Sequence, residues 1–228
     1  MTSSSVEGCT PGECELIIFD LDGTLINSFS DIRRSILVGF DAVSLPWREE
    51  FMELVFKGVG LQRFYEESQG ESIDLQPERF SAMVKAYRED YSSESENCPY
   101  PHAEELLRDL RRLRPDTRLA IATTKPSVMA KHVLKSCKLD TYFDTICGTD
   151  DLPHKPNPAL LHKVCSDNDK TPAKAIMVGD TDKDIGAAHA APMTSVGICH
   201  GGYSRGDMSA LNPSHLVDDL RDLHALLL

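Results

Sequence analysis

No apolar run in this 228-residue chain approaches the roughly 20 residues needed to cross a bilayer, so no membrane-spanning helix is expected. The first fifteen residues contain neither a basic stretch nor an apolar core, and they do not read as a secretory leader. Residues 1–14 read instead as a loose tail. There is no Cys-x-x-Cys pair, and the seven cysteines, at positions 9, 14, 98, 137, 147, 165 and 199, form no even framework. Reduced thiols in a cytoplasmic protein are the expectation. Basic residues are the minority: 24 Lys and Arg stand against 36 Asp and Glu, a net charge of −12. That balance argues against nucleic acid and against an anionic membrane surface as partners. It does not argue against a phosphorylated small molecule, because a bound metal and a few lysines invert the field locally. Internal repeats and low-complexity tracts are also missing. What remains is a globular composition, 41% hydrophobic and 26% charged, long enough for one full domain and a smaller one.

Short apolar runs mark strands at Leu16–Phe19, Leu119–Ala122, Asp144–Cys147, Ala175–Val178, Ser195–Ile198 and His215–Val217. Helical patterns lie between the later ones. Leu106, Leu107, Leu110 and Leu113 share a face over 102–114, Pro126 suits the first turn of a helix over 126–136, and Asn157-Pro158 suits a cap and first turn. This alternation predicts an α/β fold, a doubly wound parallel sheet with a Rossmann-like core. Residues 28–97 differ. They show helical spacing at Ile32/Ile36/Leu37/Phe40, at Phe51/Leu54/Val55 and at Phe80/Met83/Val84/Tyr87/Tyr91, and end in a polar, linker-like stretch over 92–97. The expected organisation is a core of 15–27 and 98–228, interrupted after its first strand by a helical cap of 28–97.

The chemistry-bearing residues stand at strand ends. Asp20-Leu21-Asp22-Gly23-Thr24 follows the first strand directly, and two carboxylates beside a buried strand need a compensating partner such as a divalent cation. Gly179-Asp180-Thr181-Asp182-Lys183-Asp184 follows another. Neither cluster fits an EF-hand, which needs glycine at its sixth position and glutamate at its twelfth. A magnesium site with few protein carboxylates fits better; within the second cluster Asp180 and Asp184 are favoured, and Asp182 is expected to be exposed. Thr123 ends a strand and either caps a helix or holds phosphate oxygens with free backbone N–H groups. Lys155, between His154 and Pro156, is aimed by a stiff loop and either lies on the surface or neutralises a nucleophilic aspartate. All of these lie where open α/β sheets bind ligands.

Taken together, Asp20-Leu21-Asp22-Gly23-Thr24, Thr123, Lys155 and Gly179-Asp180-Thr181-x-x-Asp184 resemble the four motifs of the haloacid dehalogenase-like phosphohydrolase superfamily. The resemblance runs from about residue 15 to the end, and the insert is similar to the small helical cap of one subclass. Ala122-Thr123-Thr124-Lys125-Pro126, Lys155-Pro156-Asn157-Pro158 and Met177–Gly202 look most like the phosphoglycolate phosphatase group. Three positions depart from it: Asn27 stands where an acid is common, and His102 and Pro192 stand where glycine is usual.

The resemblance implies a magnesium-dependent phosphatase of a small phosphorylated metabolite. Asp20 is then the nucleophile that forms an aspartyl-phosphate, and Asp22 the general acid and base. Magnesium would be held by the Asp20 and Asp180 carboxylates and the backbone carbonyl of Asp22. Asp184 would hold a metal-bound water or orient Lys155, and Thr123 and Lys155 would bind phosphate oxygens. An acid at Asp22 favours phosphate esters over carbon–halogen bonds, whose leaving group needs no proton. A sugar-phosphate mutase-type phosphotransferase would use the same pair, but its cap signature is not found. A nucleotidase or pyrophosphatase of the same family is a further alternative. Lys57, in the glycine-flanked segment 56–61, is the candidate for reading an acidic substrate.

Overall fold

The computed structural model describes residues 8–93 and 98–228. In chain order the strands are β1 (Leu16–Phe19), β2 (Ile26–Asn27), β3 (Cys98–Pro99), β4 (Arg118–Ala122), β5 (Thr145–Cys147), β6 (Ala175–Gly179), β7 (Thr194–Ile198) and β8 (His215–Val217). The helices are α1 (Phe29–Ala42), α2 (Met52–Phe56), α3 (Leu61–Gln69), α4 (Pro77–Ser93), α5 (Ala103–Leu113), α6 (Ser127–Ser136), α7 (Ala159–Asp167), α8 (Asp182–Ala190), α9 (Arg205–Ala210) and α10 (Leu220–Leu227).

Six strands form one parallel sheet in the order β5-β4-β1-β6-β7-β8. They are the six apolar runs of the sequence. The two central strands β1 and β6 are buried at every position, as a parallel sheet covered by helices on both faces requires. Leu16, Ile18, Ala120, Ala122, Ala175 and Met177 form one face of it, packed with Leu160, Leu161 and Val164 of α7 and Ala187 and Ala188 of α8. The strand order turns back at β1, with β4 on one side and β6 on the other. A crevice at the carboxyl ends of such strands is where this architecture binds ligands.

The chain divides into two compact units. One comprises the residues through Asn27 together with Pro99–Leu228, and the other is Ser28–Cys98. The second unit is helical. Its α1 and α4 pack together, and a Cβ at Gly39 would stand 2.9 Å from the Met83 carbonyl oxygen. Phe40, Trp47, Phe51 and Phe64 fill its interior in edge-to-face pairs. The short helix α3 had no counterpart in the sequence reading, because its nine residues carry only Leu61, Phe64 and Tyr65 as apolar side chains. Of the linker-like stretch, Ser92 and Ser93 finish α4, and residues 94–97 lie outside the described residues.

The loose tail is corrected in part. Residues 1–7 lie outside the described residues, but 9–14 are packed on the core. Pro11 and Cys14 are buried, Cys9 N–H donates to the Ala173 carbonyl at 3.1 Å, and Arg114 holds the carbonyls of Pro11 and Cys14 at 2.7 Å each. A surplus of small polar residues hid this, since the anchoring is done by backbone groups.

One of the departures from the family pattern has a conformational counterpart: His102 has φ +69°, in the region glycine occupies without steric cost. His102→Gly removes a left-handed penalty of about 1 kcal/mol and gives up an exposed side-chain contact with Glu105 at 3.0 Å. The expected result is a rise in Tm of roughly 2–4 °C by calorimetry; an unchanged or lower Tm would show that no strain resides there.

Candidate active site

The sheet register brings the predicted residues to one edge. Phe19 lies beside Ile121 of β4 and Val178 of β6. Asp20, Thr123 and Asp180 follow these within one or two residues, so all three leave the sheet at its carboxyl end. Asp20, Asp180 and Asp184 are buried, and each offers a carboxylate oxygen within 4.8 Å of the others.

Lys155 is the cation inside this cluster. Its Nζ donates to Asp20 Oδ1 at 2.8 Å, to Asp184 Oδ1 at 2.5 Å and to the Ala122 carbonyl at 2.8 Å. An ammonium has three donors, and here all three are used within the protein. The loop carrying Lys155 is pinned as well. Asn157 Oδ1 accepts the Ala159 N–H at the start of α7, and Pro156 packs where a Cβ on Gly186 would stand, 2.9 Å away.

The three carboxylates are not equivalent. Asp184 spends its second oxygen on the Thr181 N–H and hydroxyl at 3.1 and 2.7 Å, a capping box that fixes the start of α8. Among the described residues Asp180 accepts from neutral donors alone, the Thr24 hydroxyl at 3.0 Å and the Gly202 N–H at 2.8 Å. Gly23, at φ +83°, and Gly201 let backbone close around it, since a Cβ on either would stand 2.2 Å from Asp180 Oδ2. Burial pushes the Asp180 carboxyl well above its ordinary value, and the neighbouring Asp184 and Asp20 push the same way. Burial also raises Asp20, to about 7, against the opposing pull of Lys155. For Lys155 burial acts downward, yet Asp184 and Asp20 outweigh it and hold the ammonium above its usual range. Three carboxylates thus face one ammonium, and the two charges left over match a divalent cation. An all-oxygen donor set of this kind suits magnesium or a similarly hard ion.

Asp22 stands apart from that cluster. Its Oδ1 accepts from Lys125 Nζ at 3.0 Å, with the lysine buried and the aspartate half-buried. Thr123 is buried and its Oγ1 accepts the Lys125 N–H at 3.2 Å. Asp182 is exposed, with Lys183 at 3.5 Å. Lys57, in the helical unit, is exposed just after α2, with Glu53 at 4.0 Å. Sequence reasoning gave no role to Lys125, Thr24 or Gly202. Thr24 closes the first motif and Lys125 lies two residues after Thr123, so their place beside functional candidates was the available signal. Gly202 acts through its backbone N–H and leaves none.

The profile of the family described as haloacid dehalogenase-like hydrolase matches residues 17–198. A phosphoglycolate phosphatase of Mannheimia succiniciproducens is 33% identical over 219 residues, covering 92% of this chain and 96% of that protein. A protein of Dickeya dadantii named probable phosphatase IndB is 30% identical, covering 93% and 94%. Among solved structures, a haloacid dehalogenase-like family hydrolase of Streptococcus pneumoniae superimposes with a TM-score of 0.82 at 25% identity, over 95% of this chain and 99% of that one. The chain belongs to the haloacid dehalogenase-like hydrolase family.

Proposed function

We propose that this hydrolase is a magnesium-dependent phosphatase that cleaves a small phosphorylated metabolite of the phosphoglycolate type through an aspartyl-phosphate on Asp20. The observation that carries the reading is the buried Asp20–Asp180–Asp184 cluster, with Lys155 as its single ammonium and Asp180 served only by neutral donors. The names of its relatives support the substrate class. All seven cysteines are unbonded, which supports a reducing, cytoplasmic setting, and among the described residues no helix is long and apolar enough to cross a membrane.

Asp20 and Asp180, with the Asp22 backbone carbonyl, would hold the ion. When bound, it screens the repulsion between nucleophile and phosphate and stabilises charge on the transferring group. Asp184 has both oxygens committed, and its role is to aim Lys155. Lys155 keeps the Asp20 carboxylate in place, and gives up one of its three internal contacts when it engages a phosphate oxygen. Asp20 attacks phosphorus, dividing one displacement into two easier ones. Asp22 protonates the departing ester oxygen and then takes a proton from the hydrolytic water. The Thr123 hydroxyl accepts from Lys125 and retains its own proton for a phosphate oxygen.

Two tests follow. Binding of magnesium to the folded state raises stability by about 2.7 kcal/mol at a hundred times Kd. Because burial raises Asp20 and Asp180, the ion competes with protons, so the magnesium-induced rise in Tm should grow from about pH 5 to about pH 8. Asp180→Asn should melt higher than wild type without metal, because a buried charge with neutral partners is gone, and should lose the magnesium effect. A magnesium response unaltered in Asp180→Asn would contradict this site. Second, phosphate release across a metabolite panel should require magnesium and fall at least about a thousandfold in Asp20→Asn, the scale of losing a catalytic nucleophile. Full activity in that variant would remove the nucleophile assignment. On the same panel, Lys57→Ala should raise KM for acidic esters alone; an unchanged KM would dismiss Lys57 as a substrate contact.

A further inference from the structure

We propose that Lys125 is the positioning residue for the proton-transferring carboxylate of Asp22. This rests on the reading above, in which Asp20 attacks and Asp22 moves protons. The site holds two buried lysines, and they divide the two aspartates of the opening motif between them. Lys155 is committed to Asp20, Asp184 and the Ala122 carbonyl. Lys125 reaches Asp22 Oδ1 at 3.0 Å.

The backbone around Lys125 is fixed from several directions. Its N–H donates to Thr123 Oγ1, the Thr123 N–H to the Cys147 carbonyl at 3.1 Å, and the Thr149 hydroxyl to the Thr123 carbonyl at 3.1 Å. On the far side, the Ser127 N–H donates to Asp150 Oδ1 at 2.9 Å and Ser127 Oγ accepts the Gly148 N–H at 2.8 Å. Gly148 permits this approach, because a Cβ there would lie 2.2 Å from the Lys125 carbonyl oxygen. The ammonium is therefore delivered from a rigid strand end to a carboxylate that is itself half-buried and otherwise free to rotate about two torsions.

Proton transfer demands heavy-atom placement within hydrogen-bond reach of the ester oxygen. Holding Oδ1 fixes the plane of the carboxyl and assigns the proton to Oδ2. In the first step the Asp20 oxygen forms its bond to phosphorus and the bond from phosphorus to the ester oxygen breaks. That oxygen keeps the electron pair and takes the proton from Asp22 Oδ2. In the second step a water loses its proton to Asp22 as its oxygen bonds phosphorus, and the Asp20 carboxylate leaves.

The test compares kcat/KM for two esters lacking any other charge, ethyl phosphate and p-nitrophenyl phosphate, in wild type, Asp22→Asn, Lys125→Met and Lys125→Arg. Only the alkyl leaving group depends on an acid, and kcat/KM reports the step in which it departs. General acid catalysis contributes about a hundredfold to ten-thousandfold. Lys125→Met should lower the alkyl-to-aryl ratio at least about tenfold, in the direction of Asp22→Asn and chiefly through kcat, and Lys125→Arg should restore part of it. Lys125→Gln serves the same comparison if Lys125→Met does not fold. An equal loss for both esters would mean a merely structural lysine. A KM increase confined to acidic substrates, with the ratio intact, would mean a substrate anchor. Either result overturns the proposal. Absence of turnover in wild type, or an unshifted ratio in Asp22→Asn, overturns the underlying reading and this proposal with it, and is visible without any Lys125 variant.

Discussion

The three-way contact of the Lys155 ammonium with Asp20, Asp184 and the Ala122 carbonyl is the constraint on which the site depends. Desolvating an ion costs several kcal/mol even after relaxation, and removing one member of a buried pair costs about 3–5 kcal/mol because the other is left unpaired. Lys155 meets that cost for two carboxylates at once. It ties the ends of β1 and β4 to the start of α8, and so joins three separate parts of the chain. It also leaves Asp180 without a cation. Within that cluster, the carboxylate the lysine does not serve is one whose ionisation is opposed by burial and by the neighbouring Asp184 and Asp20. A site that leaves one buried acid to hydroxyl and N–H donors, beside two further carboxylates, could hold a metal ion.

The same logic separates the two aspartates of the opening motif. Asp20 is buried in the acidic cluster, with its carboxyl raised to about 7. Asp22, one turn of backbone further, faces a different lysine and retains partial exposure. Gly23 makes the difference in environment possible: at φ +83° it turns the chain tightly, and without a side chain it admits Asp180. The two carboxylates thereby reach different ammonium groups, Asp20 that of Lys155 and Asp22 that of Lys125, and the proposed division between attack and proton movement rests on that difference.

Much of this was legible in the sequence, for a physical reason. The six strands of the parallel sheet are short, mainly apolar runs bounded by polar residues, because positions covered on both faces disfavour charge; Arg118 stands at the exposed start of β4. Functional carboxylates then stand out where such runs end. The helical unit was legible in α1, α2 and α4; α3 was not, because Leu61, Phe64 and Tyr65 are its only apolar side chains. Contacts made by backbone groups were illegible: the Ala122 carbonyl that receives Lys155, the Gly202 N–H that receives Asp180, and the anchoring of residues 9–14. Lys125 was in view within Thr124-Lys125-Pro126, but its meaning depends on a residue 103 positions away. His102 illustrates the reverse case, since its glycine-like position could be inferred from resemblance while its cause, a left-handed backbone, required coordinates.

The central claim is that phosphorus is transferred to Asp20 before it reaches water. Rapid acid quench of the enzyme during turnover, followed by peptide mass mapping, tests it directly. The account predicts one acid-stable, base-labile phosphoryl group on the peptide containing Asp20, present with magnesium and lost when substrate is exhausted. Sustained phosphate release with that peptide unmodified, and with solvent oxygen entering phosphate in a single step, would contradict it.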